Sequence, residues 1–482
     1  MHAQELPSII QGGMGIAISD WKLARAVSIC GGLGVVSGTA IDTVLIRRLQ
    51  DGDPGGHMRR AMARFPIEGA AEDVTRRYFL PDGRAPGQPY ALLPMHRQIA
   101  HRLRQQITML AAFVEVHLAR EGHAGRIGLN LLTKVQLPNL ATLYGAMLAD
   151  VDFVLMGAGI PRDVPGILDA LSRHEPVSSR LDVEGDTNQV TEVVALDPRD
   201  HAVDHSRTLK RPHFLPIIAS HSLATILVRK GTGRIDGFVV EGPTAGGHNA
   251  PPRGEMQLNQ RGEPCYGERD NVDLEKIRDL GLPFWLAGGW TRSGAVVEAQ
   301  ALGAMGVQAG TLFAYCDESG LADPLKRSVL EHASLGHVDV LTDPVASPTG
   351  YPFKVVDWPG DPSRGLERER VCDLGYLRTA FRRADGRIGY RCASEPLASY
   401  LEKGGRESDT VGRRCLCNAL FANIGMAQSR ADGRLEPPLL TSGDDLRAIA
   451  GFLGGRSRYT AAEAVAYLKG ESRTSPQEVA PA

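Results

Sequence analysis

A histidine stands in the run EGPTAGGHNAPPRG, Glu241 to Gly254, directly after the paired glycines Gly246 and Gly247. Imidazole exchanges protons near neutral pH, so His248 has the chemistry of a general acid or base. The chain has 14 histidines, and this one is singled out by following an apolar run and a glycine pair. A second cluster is LPFWLAGGWTRSGAVVEAQALGAMGVQAGTLF, where Gly288-Gly289 and Gly310-Thr311 each end an apolar run. Backbone N–H groups freed by glycines and aimed with a helix N-terminus form a phosphate cradle. A third is Gln11-Gly12-Gly13-Met14-Gly15, whose glycines let a flat ring lie against backbone. Asn130 and Lys134 offer hydrogen bonds to the edge of such a ring, or else a helix cap and a solvated charge. The fourth is Cys372, Cys392, Cys415 and Cys417, within 46 positions. Four thiolates complete a zinc site or hold an iron–sulfur cluster. Their spacing lacks two C-x-x-C knuckles, and ordinary reduced thiols fit it as well.

These residues sit at the ends of short apolar runs that read as buried parallel strands. Eight such runs are Pro7–Gln11, Leu33–Val36, Arg126–Leu132, Asp152–Met156, Phe214–Ala219, Ile235–Val240, Pro283–Ala287 and Gly306–Ala309. Helical patterns follow most of them: Asp20–Ile29, with Ser19 or Asp20 as N-cap, then Leu137–Ala149, Ser220–Arg229 and Ser293–Leu302. Alternating strand and helix implies an α/β fold, and eight units close as a (β/α)8 TIM barrel whose chemistry lies at the C-terminal strand ends. The predicted barrel spans 1–335, with insertions at 40–125 and 172–212. The first insertion carries a glycine- and proline-rich loop and a long helix, roughly Met95–Glu121. The second has the makings of a hairpin from Ser178–Val183 and Thr191–Leu196. Insertions of this kind often cap a barrel mouth. From 336 to 482 the rhythm stops and the chain reads as a separate, cysteine-containing extension. Within it Thr342–Val356 looks like a strap back to the barrel, bringing Tyr351 or Lys354 toward the mouth, and Thr460–Leu468 reads as a terminal amphipathic helix.

Composition excludes several classes of partner. With 54 basic and 56 acidic residues among 482, the net charge of −2 is no footprint for nucleic acid. No apolar run approaches the ~18 residues of a membrane span, and the first 20 residues lack a signal-peptide pattern. Seven cysteines do not make a secreted disulfide framework, so the cytoplasm is the expected compartment. There is no G-x-G-x-x-G, Walker A, G-x-S-x-G or H-E-x-x-H motif, which disfavours dinucleotide folds, P-loop NTPases and serine hydrolases.

The ordered series IQGGMG, GGLGVVSGT, AGGH, LAGGW and GVQAGT resembles the nitronate monooxygenase (2-nitropropane dioxygenase) family over roughly residues 5–335. That family is related to FabK-type and PfaD-like FMN enoyl reductases. The resemblance implies FMN across the barrel mouth, with Gly12, Gly13 and Met14 at its ring and Asn130 nearby. Gly288, Gly289, Gly310 and Thr311 would hold its phosphate, and His248 would be the catalytic histidine. It implies oxidation of alkyl nitronates or a related activated carbon acid with dioxygen; the alternative is an NAD(P)H-dependent enoyl (acyl-thioester) reductase. The substrate is a small molecule, and a homodimer or an acyl-carrier or synthase partner is left open. This sequence departs from the family pattern in the stiff segment Asn249-Ala250-Pro251-Pro252-Arg253 after the histidine and in its long insertion and tail; the longer layout leans toward the PfaD-like branch.

Overall fold

In a computed structural model, which describes residues 6–185, 191–201, 203–204 and 206–471, all eight apolar runs form strands of one parallel sheet. They are β1 (Ile9–Gln11), β2 (Gly34–Ser37), β3 (Ile127–Leu132), β4 (Phe153–Gly157), β5 (His213–Ile218), β6 (Phe238–Glu241), β7 (Phe284–Ala287) and β8 (Gly306–Ala309). Their order around the sheet is β1-β8-β7-β6-β5-β4-β3-β2. The ring closes because Leu33, just before β2, donates to Ile9 O at 2.8 Å and accepts from Gln11 N–H at 3.0 Å. The fold is therefore a (β/α)8 barrel. Inward side chains such as Ile10, Val35, Phe153, Leu215, Val239 and Trp285 fill the interior as one cluster, so the barrel is a packed core and not a pore. Trp285 is fully buried and donates its indole N–H to Pro7 O at 2.7 Å.

The helices follow from local chemistry. Asp20 caps α1 (Trp21–Ile29) by accepting the N–H groups of Lys22 and Leu23. Among the helices between β2 and β3 are α2 (Ile41–Gln50) and the long α3 (Arg102–Arg120). The long α3 packs against β2 and β3 between α1 and α4 (Gln136–Leu148). It fills the place of the barrel's second helix and does not cover the mouth. It starts later than the predicted Met95 because His96 is drawn into a buried polar knot. Asp42 there accepts from Arg104 at 2.7 Å, from Thr108 at 3.0 Å and from the Tyr376 hydroxyl, and pairs with His96 at 2.9 Å. Burial would raise the Asp42 carboxyl, but Arg104 and His96 hold it well below the usual carboxylate range. The second insertion does form a hairpin, Val177–Arg180 against Val193–Leu196.

β6 begins three residues later than the sequence pattern indicates and runs one residue further, to Glu241. Asp236 explains the late start, because its carboxylate turns away from the ladder to accept Phe214 N–H at 2.8 Å. In the tail, β9 (Asp339–Asp343) pairs antiparallel with β10 (Phe353–Asp357). The helix Ala461–Lys469, capped by Thr460 and Glu463, lies against α1 and the helix Ala295–Ala301. Among the described residues no helix is long and apolar enough to cross a membrane.

Candidate active site

The C-terminal strand ends enclose a cavity of about 420 Å3. Gly12, Gly13, Met14, Asn130, Gly246, Gly247, His248, Gly288, Gly310 and Thr311 all border it. The loop after β1 is held by two buried side chains, Gln11 and Ser19, the latter bonding to this loop while Asp20 caps α1. Gln11 accepts Val35 N–H at 3.0 Å and donates to Ser19 Oγ at 2.7 Å. Ser19 in turn donates to Gly12 O and accepts Met14 N–H, both at 2.9 Å. Asn130 donates to Gly13 O at 3.0 Å, which pins the floor to this loop.

Two acceptors on the floor are left orphaned. Asn130 Oδ1 and Gln308 Oε1 are buried with no hydrogen-bond partner in the protein, and both residues border the cavity. Buried polar atoms are rarely abandoned, so a ligand with polar edges is the natural partner. On the opposite side Gly288 adopts φ +80°, and a Cβ there would stand 3.0 Å from both Ala245 N and Gly242 O. The Thr311 hydroxyl accepts Gly443 N–H at 3.0 Å, and a Cβ on Gly246 would lie 2.8 Å from the same nitrogen. The tail residues Ser442 and Gly443 thus complete this wall, at a separation the sequence could not signal.

Gly289 and Lys134 stand apart from the cavity wall. Asp445, which borders the cavity, lies beside Gly289. Lys134 Nζ lies 3.1 Å from the centroid of the Tyr351 ring and 3.4 Å from Thr349 O. Burial pushes the Lys134 ammonium down to about 8. Of the two strap residues, Tyr351 borders the cavity, while Lys354 is buried against Asp444, 2.9 Å from both carboxylate oxygens.

The strap is what positions His248. Lys354 N–H donates to Gly247 O and Asn249 N–H to Pro352 O, both at 2.9 Å, so the strap and the AGGH loop pair as short strands. The imidazole Nε2 lies 2.7 Å from Ser347 Oγ, and Phe353 meets the ring edge-on at 4.9 Å between centroids. Ser347 is itself fixed: its hydroxyl meets Thr349 Oγ1 at 2.8 Å, and Arg413 holds its carbonyl at 2.6 Å. Burial, aided by the charge of Lys134, brings His248 down to about 4, so the ring is neutral at pH 7. Two carboxyls also border the cavity: Glu241, pushed up to about 7 by burial, and Asp445, raised by burial as well.

The four tail cysteines lie on the tail side of the barrel. The Cys372 and Cys392 thiols lie near one another, and Cys392 contacts Ser394 Oγ at 3.2 Å. Cys415 accepts from Asn418 at 3.6 Å, and Cys417 packs in an apolar cluster with Ile16, Val44 and Phe421. Among the described residues, no three or more histidine, cysteine or acidic side chains come together in a way that could hold a metal ion. The zinc or iron–sulfur expectation for Cys372, Cys392, Cys415 and Cys417 therefore finds no support, because each is engaged locally and Cys417 is directed into apolar packing.

Residues 172–345 match the family model for nitronate monooxygenase. This segment is therefore similar to the nitronate monooxygenase family. It carries β5 to β8, the AGGH loop and the start of the strap. A probable nitronate monooxygenase of Staphylococcus haemolyticus is 34% identical over 97 residues, which is 20% of this chain and 26% of the relative. Another, from Staphylococcus saprophyticus, is 29% identical over 164 residues, 34% of this chain and 40% of the relative. The alignments thus span between a quarter and two fifths of these relatives' length. Among solved structures, FabK from Thermotoga maritima aligns over 96% of this chain and 91% of its own at 17% identity, with a TM-score of 0.46.

Proposed function

We propose that this chain is an FMN-dependent oxidoreductase that oxidises a small activated carbon acid with dioxygen, an alkyl nitronate being the substrate to try first. The observation that carries the reading is the cavity floor, where glycines clear space for a flat ring and the orphaned Asn130 and Gln308 acceptors await a polar edge. Gly288, Gly310 and Thr311 would hold the phosphate. Bound FMN would supply the electron acceptor that no side chain of the cavity can provide.

The protein's own share is binding and proton management. A neutral imidazole with a pKa near 4 is a weak base, and proton transfer is most effective when the catalytic pKa lies near the working pH. His248 therefore suits a substrate that arrives already as its anion, whose charged group it orients by hydrogen bonding. Lys134, largely protonated at pH 7, places positive charge beside the mouth and favours such an anion. Ser347 engages Nε2 and so leaves Nδ1 as the nitrogen available to substrate.

The purified protein should show flavin absorbance, and anaerobic mixing with an alkyl nitronate should bleach it. His248→Ala should keep the flavin and lose turnover; full activity in that variant would overturn the role assigned to the histidine. A second reading, an NAD(P)H-dependent enoyl-thioester reductase fed by an acyl-carrier partner, is favoured by the apolar side of the mouth, where Pro251, Leu377, Leu416 and Leu420 border the cavity. Rapid anaerobic bleaching by NADPH but not by nitronate would select it.

A further inference from the structure

The segment that follows the histidine departs from the family pattern, and its first residue builds part of the cavity wall. Asn249 is 2% exposed and borders the cavity. Its backbone N–H donates to Pro352 O at 2.9 Å, which ties the residue to the strap. Its side-chain Nδ2 donates to Ala245 O at 3.0 Å, which folds the AGGH loop back on itself. That bond also fixes which end of the amide is the donor. The other end, Oδ1, is buried without a hydrogen-bond partner in the protein. The chain beyond it is stiff. Pro251 and Pro252 fix their φ angles, Tyr266 donates its hydroxyl to Ala250 O at 3.0 Å, and Asp270 accepts Arg253 N–H at 2.8 Å. An amide oxygen held this firmly costs free energy unless something entering the cavity donates to it.

We propose that Asn249 Oδ1 reads the substrate, accepting a hydrogen bond from a hydroxyl or amide N–H carried close to the reacting carbon. This rests on the oxidoreductase reading above and narrows its activated carbon acid to one with a neutral donor on its chain. The other two orphaned acceptors at the cavity, Asn130 Oδ1 and Gln308 Oε1, sit on β3 and β8. Asn249 instead follows His248 directly, the residue assigned to the substrate's charged group. An anionic oxygen does not suit the position, because it and the amide oxygen are both acceptors. The substrate's charged group therefore goes to His248 and its donor to Asn249. Lys134 places positive charge beside this loop, so a neutral donor suits it better than an ammonium. A site built around such a donor rejects an analogue that lacks it, because the amide oxygen is then left unpaired beneath the ligand. Simple alkyl nitronates should be turned over, but less efficiently than a donor-bearing one.

The test compares the FMN-loaded full-length chain with Asn249→Ala on two nitronates of equal size, those of 3-nitropropan-1-ol and 1-nitrobutane, which differ by hydroxyl against methyl. Dioxygen uptake gives kcat/KM for each. In the wild type the hydroxyl compound should be favoured about 10–100-fold, the effect of one buried acceptor left unpaired. In Asn249→Ala that ratio should fall to about one. General damage to the loop lowers both rates and leaves their ratio where it was, so a ratio unchanged from the wild type overturns the inference. Equal kcat/KM for the two nitronates in the wild type overturns it too, and leaves the functional reading standing. If neither nitronate bleaches the flavin or is turned over, the functional reading falls and this inference with it. A measurement on the wild type alone, without turnover, guards against a variant that does not fold. In calorimetric titration with the parent nitro compounds, 3-nitropropan-1-ol should bind several-fold more tightly than 1-nitrobutane, and equal affinities refute the hydrogen bond.

Discussion

Gly13 offers the sharpest test of how the cavity floor is built. A Cβ at this position would stand 2.1 Å from Asn130 Cβ, 2.9 Å from its Cγ and 3.1 Å from Val35 Cγ1. Non-bonded carbons settle at about 3.5–4.0 Å, so Gly13→Ala must push the two backbones or the Asn130 side chain apart by roughly 1.5 Å. Overpacking of that kind costs about 1–3 kcal/mol, and the Asn130-to-Gly13 hydrogen bond would be lost at about 1 kcal/mol more. Gly13→Ala should therefore destabilise the protein by about 2–4 kcal/mol in chemical denaturation. If Asn130 also touches the ring, FMN affinity read by fluorescence quenching should fall roughly tenfold. Gly15→Ala, in the same loop, is the control: nothing lies within 4 Å of a Cβ there, so stability should hold or rise by up to about 1 kcal/mol. If Gly13→Ala kept both stability and flavin affinity, the close approach of the β1 loop to Asn130 would be refuted.

The Asp42 knot and His248 yield two further outcomes. Asp42→Asn leaves Arg104 buried without its counter-charge, so unfolding should be easier by about 3–5 kcal/mol; an unchanged denaturation midpoint would mean that the knot does not hold α2, α3 and the tail together. The ordinary His248 value of 6.5 is lowered to about 4 in the folded chain. Between these values the unfolded chain binds the extra proton, so stability is full above pH 6.5 and is lost as pH falls toward 4, by up to about 3 kcal/mol. In His248→Gln the acid side of the stability–pH curve should be correspondingly flatter, and an unchanged curve would place the ring in contact with water.

The barrel was legible because strands covered on both faces by helices are continuously apolar, and because glycines mark where a strand must stop and make room. Much of the site was legible for the same reason: Gly12, Gly13, Gly246, Gly288 and Gly310 all reach the cavity. What escaped was polar residues hidden in apolar runs and contacts made across long separations. Gln308 lies inside a strand and reads as filler. Glu241 lies one residue past the expected end of its strand, a polar residue closing an apolar run. Lys134 and Gly289 carried the right chemistry, but the residues beside them, Tyr351 and Asp445, come from the tail.

The tail also changes how the histidine must be understood. His248 and Ser347 are 99 residues apart, and Asp42 and Tyr376 are 334 apart. Without Ser347 and Phe353 the imidazole would have neither the hydroxyl that engages Nε2 nor the aromatic wall that keeps it dry. An exposed imidazole returns to its ordinary range near 6.5. Substitutions that loosen the strap, such as Arg413→Ala at the carbonyls of Val345 and Ser347, should thus act on the protonation of His248 before they act on the barrel's stability. His248 is carried by the loop after β6, but its protonation state is set by the strap.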